Sequence, residues 1–226
     1  MQFRGLIMKH SFVLFLIFVS LLSVGKVVCS KERIYLLSET EDINDIRYEK
    51  KTKTAINGTM HMYYKSGKLW SEYKYKDGKK AGSCKVYFEN GNIAEETPYV
   101  NGKKEGTAKT YYSNGKLGAE VTYINDKREG RSISLHSNGS LSVEMYYKQG
   151  NRSGVRKTYF NNGLLNTEAL FNNDKIEGIE KIYHESGRIL REISYAKGIP
   201  QSGFVYGLNG EKIEMTNKQL SEISIQ

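Results

Sequence analysis

Histidine, glutamate, tyrosine and cysteine are the residues of this chain whose chemistry could serve catalysis, metal binding or recognition. Two of the four histidines, His136 and His184, occupy the same position of a 24-residue repeating pattern, two units apart. If each unit contributes two strands about 4.8 Å apart, these histidines lie roughly 19 Å from each other, whereas zinc ligands lie about 2 Å from the metal. They therefore cannot share a zinc ion, and we expect them to stand in for aromatic residues in a sheet.

Glutamate recurs at one position of every unit. The series is Glu72, Glu96, Glu120, Glu144, Glu168 and Glu192. Neighbours in it are about 10 Å apart, too far for shared acid–base chemistry or for one Ca²⁺ ion with oxygen ligands about 2.4 Å away. The lysines predicted to lie directly opposite four of these glutamates are Lys85, Lys109, Lys157 and Lys181. Such cross-strand ion pairs contribute about 0.2–1 kcal/mol each, so we expect a structural role.

Motifs that carry known catalytic chemistry are absent from the sequence. It contains no Gly-x-Ser-x-Gly turn, no phosphate-binding loop and no His-Glu-x-x-His motif, and its glycines mark turns. Cys84 has no cysteine or histidine partner in the pattern, so we expect a small buried residue rather than a reactive thiol. The sequence therefore predicts a protein without enzyme activity, metal or cofactor.

Aromatic residues on one predicted face are the candidate binding residues. They are Tyr63, Trp70, Tyr87, Tyr111, Tyr159 and Tyr183, with Leu135 as the one departure from tyrosine in the series. Tyrosine offers a large, rigid contact area with a polar tip and is enriched at interfaces, and Trp70, predicted opposite Tyr63, would be the strongest single anchor. The alternative is that regularly spaced tyrosines simply cover a thin sheet, since tyrosine favours strands.

A 24-residue repeat positions all these residues. It first runs from Gly58 to Ala81 as GTMHMYYKSGKLWSEYKYKDGKKA. Its six copies begin at Gly58, Gly82, Gly106, Gly130, Gly154 and Gly178. Six copies in register without gaps, over residues 58–201, predict a repeat array. Residues 31–57 and 202–226 depart from the period, and we interpret them as caps, the second with a polar tail, that close the open ends.

Two turn signals divide each unit into two strands. The first is Asn-Gly or Ser-Gly, as in Asn90-Gly91, and predicts a two-residue type I′ turn because both residues tolerate positive φ. The second follows at Asp77-Gly78 and its counterparts. The predicted fold class is all-β, an elongated antiparallel meander of tandem β-hairpins. About 14 strands at roughly 4.8 Å each would make it about 65 Å long.

A two-residue first turn would sort the side chains of each hairpin into two faces. The predicted buried face has Tyr64 opposite Leu69 beside the turn, and an aromatic, Tyr75, opposite the opening glycine, Gly58. The other face carries the tyrosines and glutamates. A three-residue turn with a bulge would reverse the face of one strand.

The first thirty residues differ in kind from the repeats. Two basic residues precede an apolar run at 11–24, and Ser30 follows at a suitable cut site, which predicts a secretory signal peptide over residues 1–30. An uncleaved membrane anchor is the alternative, although about 14 apolar residues fall short of the roughly 20 that span a bilayer. Lipoprotein attachment at Cys29 is a further alternative, disfavoured by Val28 before it. Cleavage removes three basic residues and no acids, which lowers the formal net charge from +9 to +6.

The blocks YYKSGKLWSEYKYKDGKKAG, from Tyr63, and YYSNGKLGAEVTYINDKREG, from Tyr111, resemble the MORN-repeat variant family. The resemblance covers about residues 48–215 and implies antiparallel hairpins laid side by side in a twisted sheet. The sequence lacks the Gly-x-Trp core and the His-Gly pair of eukaryotic MORN repeats, so their lipid and kinase associations do not carry over. Bacterial members of the variant branch are often labelled antitoxin components, which implies an immunity or antitoxin role with a toxin as partner.

These observations favour an exported, periplasmic or secreted repeat protein that binds another protein through a sheet face, with no nucleic acid expected. Two other partner classes stay open. Basic second turns such as Lys79-Lys80 and Lys103-Lys104 would suit an anionic membrane surface. Stacked tyrosines would suit a glycan or another component of the cell envelope.

Overall fold

The computed structural model describes residues 33–223, so the signal-peptide prediction for residues 1–30 lies outside the described residues. The strands are β1 Ile34–Leu36, β2 Thr40–Ile43, β3 Ile46–Glu49, β4 Gly58–Tyr63, β5 Leu69–Lys76, β6 Lys79–Lys80, β7 Gly82–Tyr87, β8 Ile93–Val100, β9 Lys103–Lys104, β10 Gly106–Tyr111, β11 Leu117–Ile124, β12 Lys127–Leu135, β13 Leu141–Lys148, β14 Asn151–Arg152, β15 Gly154–Tyr159, β16 Leu165–Asn172, β17 Lys175–Tyr183, β18 Ile189–Ala196, β19 Ile199–Tyr206 and β20 Lys212–Glu214. A helix, α1, spans Asn217–Ile223.

Each repeat folds into one antiparallel hairpin, and successive hairpins pair side by side in a single sheet from β4 to β20. The predicted all-β meander of tandem hairpins is therefore confirmed. Six hairpins with β19 and β20 supply the predicted 14 strands, and the other strands belong to the N-terminal cap or are two residues long. In that cap, β1 pairs in parallel with β4, while β2 and β3 form a separate two-stranded sheet.

The first turn of each unit differs from the prediction. In the first unit the Tyr64 N–H donates to the Lys68 carbonyl (2.8 Å) and the Gly67 N–H to the Tyr64 carbonyl (3.0 Å), which defines a three-residue loop. Gly67 has a φ of +83° and Ser66 does not share this left-handed conformation. The prediction of a two-residue type I′ turn here is therefore wrong, and the loop is a type I turn closed by a left-handed glycine.

Hydrogen bonds from the asparagine side chain stabilise this turn in the units that carry asparagine. In the second unit, Asn90 Oδ1 accepts from the Asn92 N–H (3.0 Å), and Asn90 Nδ2 donates to the Ser113 carbonyl of the next unit (2.7 Å). The asparagine thus links neighbouring hairpins as well as closing its own loop. The type I′ geometry occurs at the second turn instead, where Asp77 (φ +51°) and Gly78 (φ +72°) both have positive φ.

A bulge in the second strand corrects the register after each three-residue loop. Tyr63 pairs with Leu69 but Met62 pairs with Ser71, so Trp70 is the extra residue. Beyond the bulge the predicted register holds: Lys85 pairs with Glu96, and every opening glycine faces the last aromatic residue of its unit. Beside the turn the prediction is wrong, because Leu69 pairs with Tyr63 and not with Tyr64.

The buried side chains lie mainly on the predicted inner face and under the two caps. Tyr35, Ile56, Met60 and Tyr75 form one cluster at the N-terminal end. At the other end Ile193 and Tyr195 pack with Met215 and with Leu220 of α1. This helix corrects the expectation of a polar tail after residue 215, since Leu220 is buried. Cys84 is buried as predicted, and burial raises the pKa of its thiol.

Side chains that follow the first strand tie successive units together. The Tyr112 hydroxyl donates to the Leu135 carbonyl of the next unit (2.6 Å), and Tyr64 bonds to the Tyr87 carbonyl in the same way. His136 occupies the equivalent position, and its Nε2 lies 2.9 Å from the Tyr159 carbonyl. The prediction that histidine replaces an aromatic residue in the sheet is confirmed for His136.

Candidate functional site

The tyrosine stripe is a row of cross-strand pairs beside the first turn of each hairpin. It pairs Tyr63 with Leu69, Tyr87 with Ile93, Tyr111 with Leu117, Leu135 with Leu141, Tyr159 with Leu165 and Tyr183 with Ile189. One residue ends the first strand of its hairpin and the other begins the second strand. Because the strands alternate regularly and the bulge recurs, six such pairs lie side by side along one edge of the sheet.

Exposure along the stripe is highest at its N-terminal end. Tyr63 is 49% exposed and Trp70 is 42% exposed. Tyr87, Tyr111 and the later tyrosines are half-buried. Trp70 does not lie opposite Tyr63 as predicted, because it is the bulge residue; its ring instead contacts the ring of Tyr64, with centroids 6.4 Å apart.

At Tyr87, residues of the first and second units meet on the stripe. Leu69 and Tyr87, with Lys68, Asn90 and Gly91, line an open cavity of about 380 Å³. Burial, together with the negative charges of Glu72 and Glu96, raises the pKa of Tyr87. The aliphatic half of the stripe was missed by sequence reasoning, although glycine as the third loop residue is a signal that could have found it.

A ladder of ion pairs runs beside the stripe on the same face. Lys85 Nζ lies 3.8 Å from Glu96 Oε1, Lys109 Nζ 3.1 Å from Glu120 Oε1, and Lys157 Nζ 3.3 Å from Glu168 Oε1. His61 faces Glu72 at 3.8 Å, and Arg131 bonds to Glu144. All four lysines lie directly opposite their glutamates as predicted, Lys181 opposite Glu192 included, and these three of the four pairs form ion pairs. The ladder neutralises its own charge, so the face offers contact area rather than a strong field.

Basic side chains of the second turns lie over aromatic rings of the inner face. Lys80 Nζ is 4.4 Å from the ring centre of Tyr73 and 5.1 Å from that of Tyr99. The same contact recurs for Lys104 over Tyr123 (5.0 Å), Arg128 over Tyr147 (5.2 Å) and Arg152 over Phe171 (4.6 Å). Each such contact contributes about 0.5–1 kcal/mol at a partly exposed site. These cations therefore contact the rings, whereas Lys79, Lys103 and Lys127 of the same turns are exposed to solvent.

The inner-face tyrosines predict a loss of stability at high pH. Burial raises the pKa of Tyr75 and of Tyr99 to about 12, above the ordinary value of 10.0. The folded state therefore favours the neutral phenol, and its contribution is complete below pH 10 and is lost between about pH 10 and pH 12. The urea midpoint of the wild type should fall across this pH range. The midpoint of Tyr99→Phe should fall less, because this variant lacks one of the two phenols. Phe171 occupies the equivalent position of its own unit, which shows that phenylalanine fits there. A midpoint that stays constant to pH 12 contradicts the prediction.

Within residues 33–223 no group of three or more His, Cys, Asp or Glu side chains is placed to hold a metal ion. Across that described range, no helix has both the length and the apolar character needed to cross a membrane.

Comparison with known families agrees with the geometry. The family model described as MORN repeat variant matches residues 56–77, 80–101, 104–125 and 176–197. The units that begin at Gly130 and Gly154 lie outside the matched segments but keep the same strand pairing. No curated protein matches the chain.

Proposed function

Because the chain carries tandem MORN repeat variants, we propose that it is a non-enzymatic scaffold that binds another protein through its tyrosine stripe. Repeats of this family generally bind proteins or membranes. The observation that carries the proposal is the pairing of a tyrosine with an aliphatic residue in five of six successive hairpins. This arrangement exposes rigid rings with polar tips beside apolar side chains, which is the composition of protein-binding surfaces.

The dimensions of the stripe suit an extended partner surface. Twelve strands at about 4.8 Å place the first and last pairs roughly 50 Å apart. Its open cavity between Leu69 and Tyr87 accepts a side chain but encloses no small molecule. The neighbouring ion pairs cancel their charges, so binding should depend on contact area and respond weakly to salt.

Export and an immunity role complete the proposal. The charged start, apolar run and small residues of residues 1–30 support export, and the labels of the bacterial branch support a toxin as the partner. Fractionation of cells that express the full chain tests export. The protein should be recovered outside the cytoplasm and lack residues 1–30 by mass spectrometry, and full-length protein in the cytoplasm contradicts this part.

A four-residue alanine variant tests the stripe. Tyr63, Trp70, Tyr87 and Tyr111 are changed together to Ala, and the protein is used to recover partners from the host. Central aromatic residues of interfaces cost about 2 kcal/mol or more each when truncated, so partner recovery should fall at least tenfold. Quantitative mass spectrometry of the recovered proteins is the measurement.

The matched control removes exposed apolar residues elsewhere. Val100 and Ile124 are 54% and 48% exposed at the ends of β8 and β11, away from the stripe. Val100→Ala with Ile124→Ala should leave recovery unchanged. Equal recovery by the four-residue variant contradicts the proposal.

Flotation with anionic liposomes at low and high salt tests the membrane alternative, which requires salt-sensitive binding through residues such as Lys79 and Lys103.

A further inference from the structure

Four exposed apolar side chains form a second row on the face that carries the tyrosine stripe. They are Tyr146 (39% exposed), Val155 (37%), Leu170 (46%) and Ile179 (56%), on the neighbouring strands β13, β15, β16 and β17. Val155 pairs directly with Leu170. Each of the four lies two residues from a member of the charged ladder, and residues two apart on a strand share a face. We define these four residues as the apolar row.

The fold does not require an apolar row at these positions. The equivalent residues of the second and third units are Ser83, Pro98, Thr107 and Thr122, and the hydroxyls of Thr107 and Thr122 lie 3.0 Å apart. Three of these four residues are polar, so the same sheet is built in its N-terminal half without an apolar row at these positions. A cluster of exposed apolar side chains that the fold does not require indicates a contact with another molecule.

Charges beside the apolar row alternate along the sheet. Glu144 pairs with Lys157, Lys157 with Glu168, and Glu168 with Lys181 on successive strands. If a second copy of this row is laid against the first in reversed order, every acid of one row faces a base of the other. This pattern suits one partner in particular, namely the same face of a second copy.

We propose that the apolar row is the interface of a homodimer. The two-fold axis runs parallel to the strands, midway between β15 and β16. Rotation about this axis reverses the order of the strands across the sheet and leaves the position of each residue along the strand direction unchanged. The same face of each copy then meets its counterpart, which makes the interface isologous. Tyr146 then faces Ile179 of the partner copy and Val155 faces Leu170.

The same axis also satisfies the charged ladder. Glu144 meets Lys181 of the partner copy, and Lys157 meets Glu168. Both rows are thus self-complementary about a single axis, with apolar side chains against apolar side chains and acids against bases. Other axes between neighbouring strands leave Tyr146 or Ile179 without an apolar counterpart.

The size of this interface predicts a reversible dimer. Four strands at about 4.8 Å and two rows of side chains cover less than the roughly 800 Å² per partner of a standard stable interface. Association should therefore be in the micromolar range. Tyr159 and Tyr183 of the stripe lie on the interface strands β15 and β17, whereas Tyr63, Trp70, Tyr87 and Tyr111 lie on β4, β5, β7 and β10, outside them. The test of the proposed function changes only residues of this second group, so dimerisation and the proposed function can each fail without the other.

Sedimentation equilibrium tests the dimer. Protein is purified from cells that express the full chain, and wild type is compared with Val155→Thr, Leu170→Thr and Ile179→Thr combined. Threonine is chosen because Thr107 and Thr122 occupy the same positions in the third unit. The triple variant should raise the dimer dissociation constant at least tenfold. Val100→Thr with Ile124→Thr removes equally exposed apolar residues elsewhere and should leave it unchanged.

A cross-linking experiment tests the axis. In one chain, Tyr146 and Ile179 are three strands apart, about 14 Å. A Tyr146→Cys, Ile179→Cys variant should therefore be linked into covalent dimers by a short bismaleimide, whereas Tyr146→Cys alone should not. Wild type that remains monomeric at concentrations on the order of 100 μM overturns the proposal. A triple variant that dimerises like wild type also overturns it, as does a double-cysteine variant that gives no covalent dimer.

Discussion

Replacing Ile193 by alanine is expected to lower the free energy of unfolding by about 2–5 kcal/mol. Ile193 lies on β18, is 1% exposed and packs with Tyr195 and with Met215 and Leu220 from the C-terminal cap. Truncation leaves a cavity between the sheet and α1 that these neighbours can fill only in part. The loss should be large because this cluster closes one end of the array, and each unit of an array contacts only its neighbours. Urea unfolding followed by circular dichroism measures it.

An isoleucine of the C-terminal cap itself provides the control. Ile213 lies on β20 and is 51% exposed. Its replacement by alanine removes the same atoms from a surface site, so the free energy of unfolding should change by less than about 0.5 kcal/mol. Equal losses at Ile193 and Ile213 would show that the C-terminal cap does not pack as described.

Replacing Gly58 by alanine is expected to detach the N-terminal cap and to lower the free energy of unfolding by about 3 kcal/mol. A β-carbon at Gly58 would lie 2.1 Å from the Arg33 carbonyl oxygen, and the φ of Gly58 is +143°. The obstacle is backbone, and the Thr59 N–H donates to the same carbonyl (2.9 Å). The parallel strand β1 must therefore move away. Hydrogen exchange should show lost protection in β1 and at Thr59.

Gly178 is the matched control because it opens the sixth unit as Gly58 opens the first. Its φ is +77° and no atom lies within 4 Å of an added β-carbon. Gly178→Ala should cost only the strain of the left-handed conformation, about 1–2 kcal/mol, without loss of protection in β1. The prediction is contradicted if both variants lose the same stability or if protection of β1 survives Gly58→Ala.

The sheet and most of its register could be predicted from the 24-residue period alone. Pairing of Lys85 with Glu96, and of Gly58 with Tyr75, follows from alternation along the strands once the hairpin is recognised. The register was predicted correctly despite the wrong turn, because the bulge at Trp70 cancels the extra loop residue. Two local errors therefore compensated each other beyond the turn.

The position of Leu69 was predicted wrongly because Ser66-Gly67 was interpreted as a two-residue turn, whereas the loop has three residues. The bond from Asn90 to the Ser113 carbonyl of the neighbouring hairpin could not be predicted at all. Such a bond exists only after the sheet has formed, so sequence patterns within one unit do not reveal it. The burial of Leu220 against Ile193 is likewise a contact with the preceding unit, and a short segment such as 217–223 carries too little periodicity to predict a helix.

The tyrosine stripe itself follows from the sequence, but its aliphatic half follows only from the structure. Alternation along the first strand correctly predicted Tyr87 on the outer face. The same rule, applied after a two-residue turn, predicted Ile93 on the inner face, whereas the structure pairs Ile93 with Tyr87. Their pairing changes the candidate site from a row of isolated rings to a continuous surface of rings and aliphatic side chains. That surface is the stronger basis for protein binding.

Site-specific photo-cross-linking in the host tests this protein-binding surface most directly. A photoreactive phenylalanine analogue replaces Tyr87 in the stripe or, as the control, Tyr123, which lies beneath Lys104 on the inner face. We predict a discrete covalent adduct with one protein from position 87, and loss of that adduct when Tyr63 and Tyr111 are changed to Ala. Adducts of equal yield from positions 87 and 123, or none from position 87, would contradict the tyrosine stripe as the binding surface.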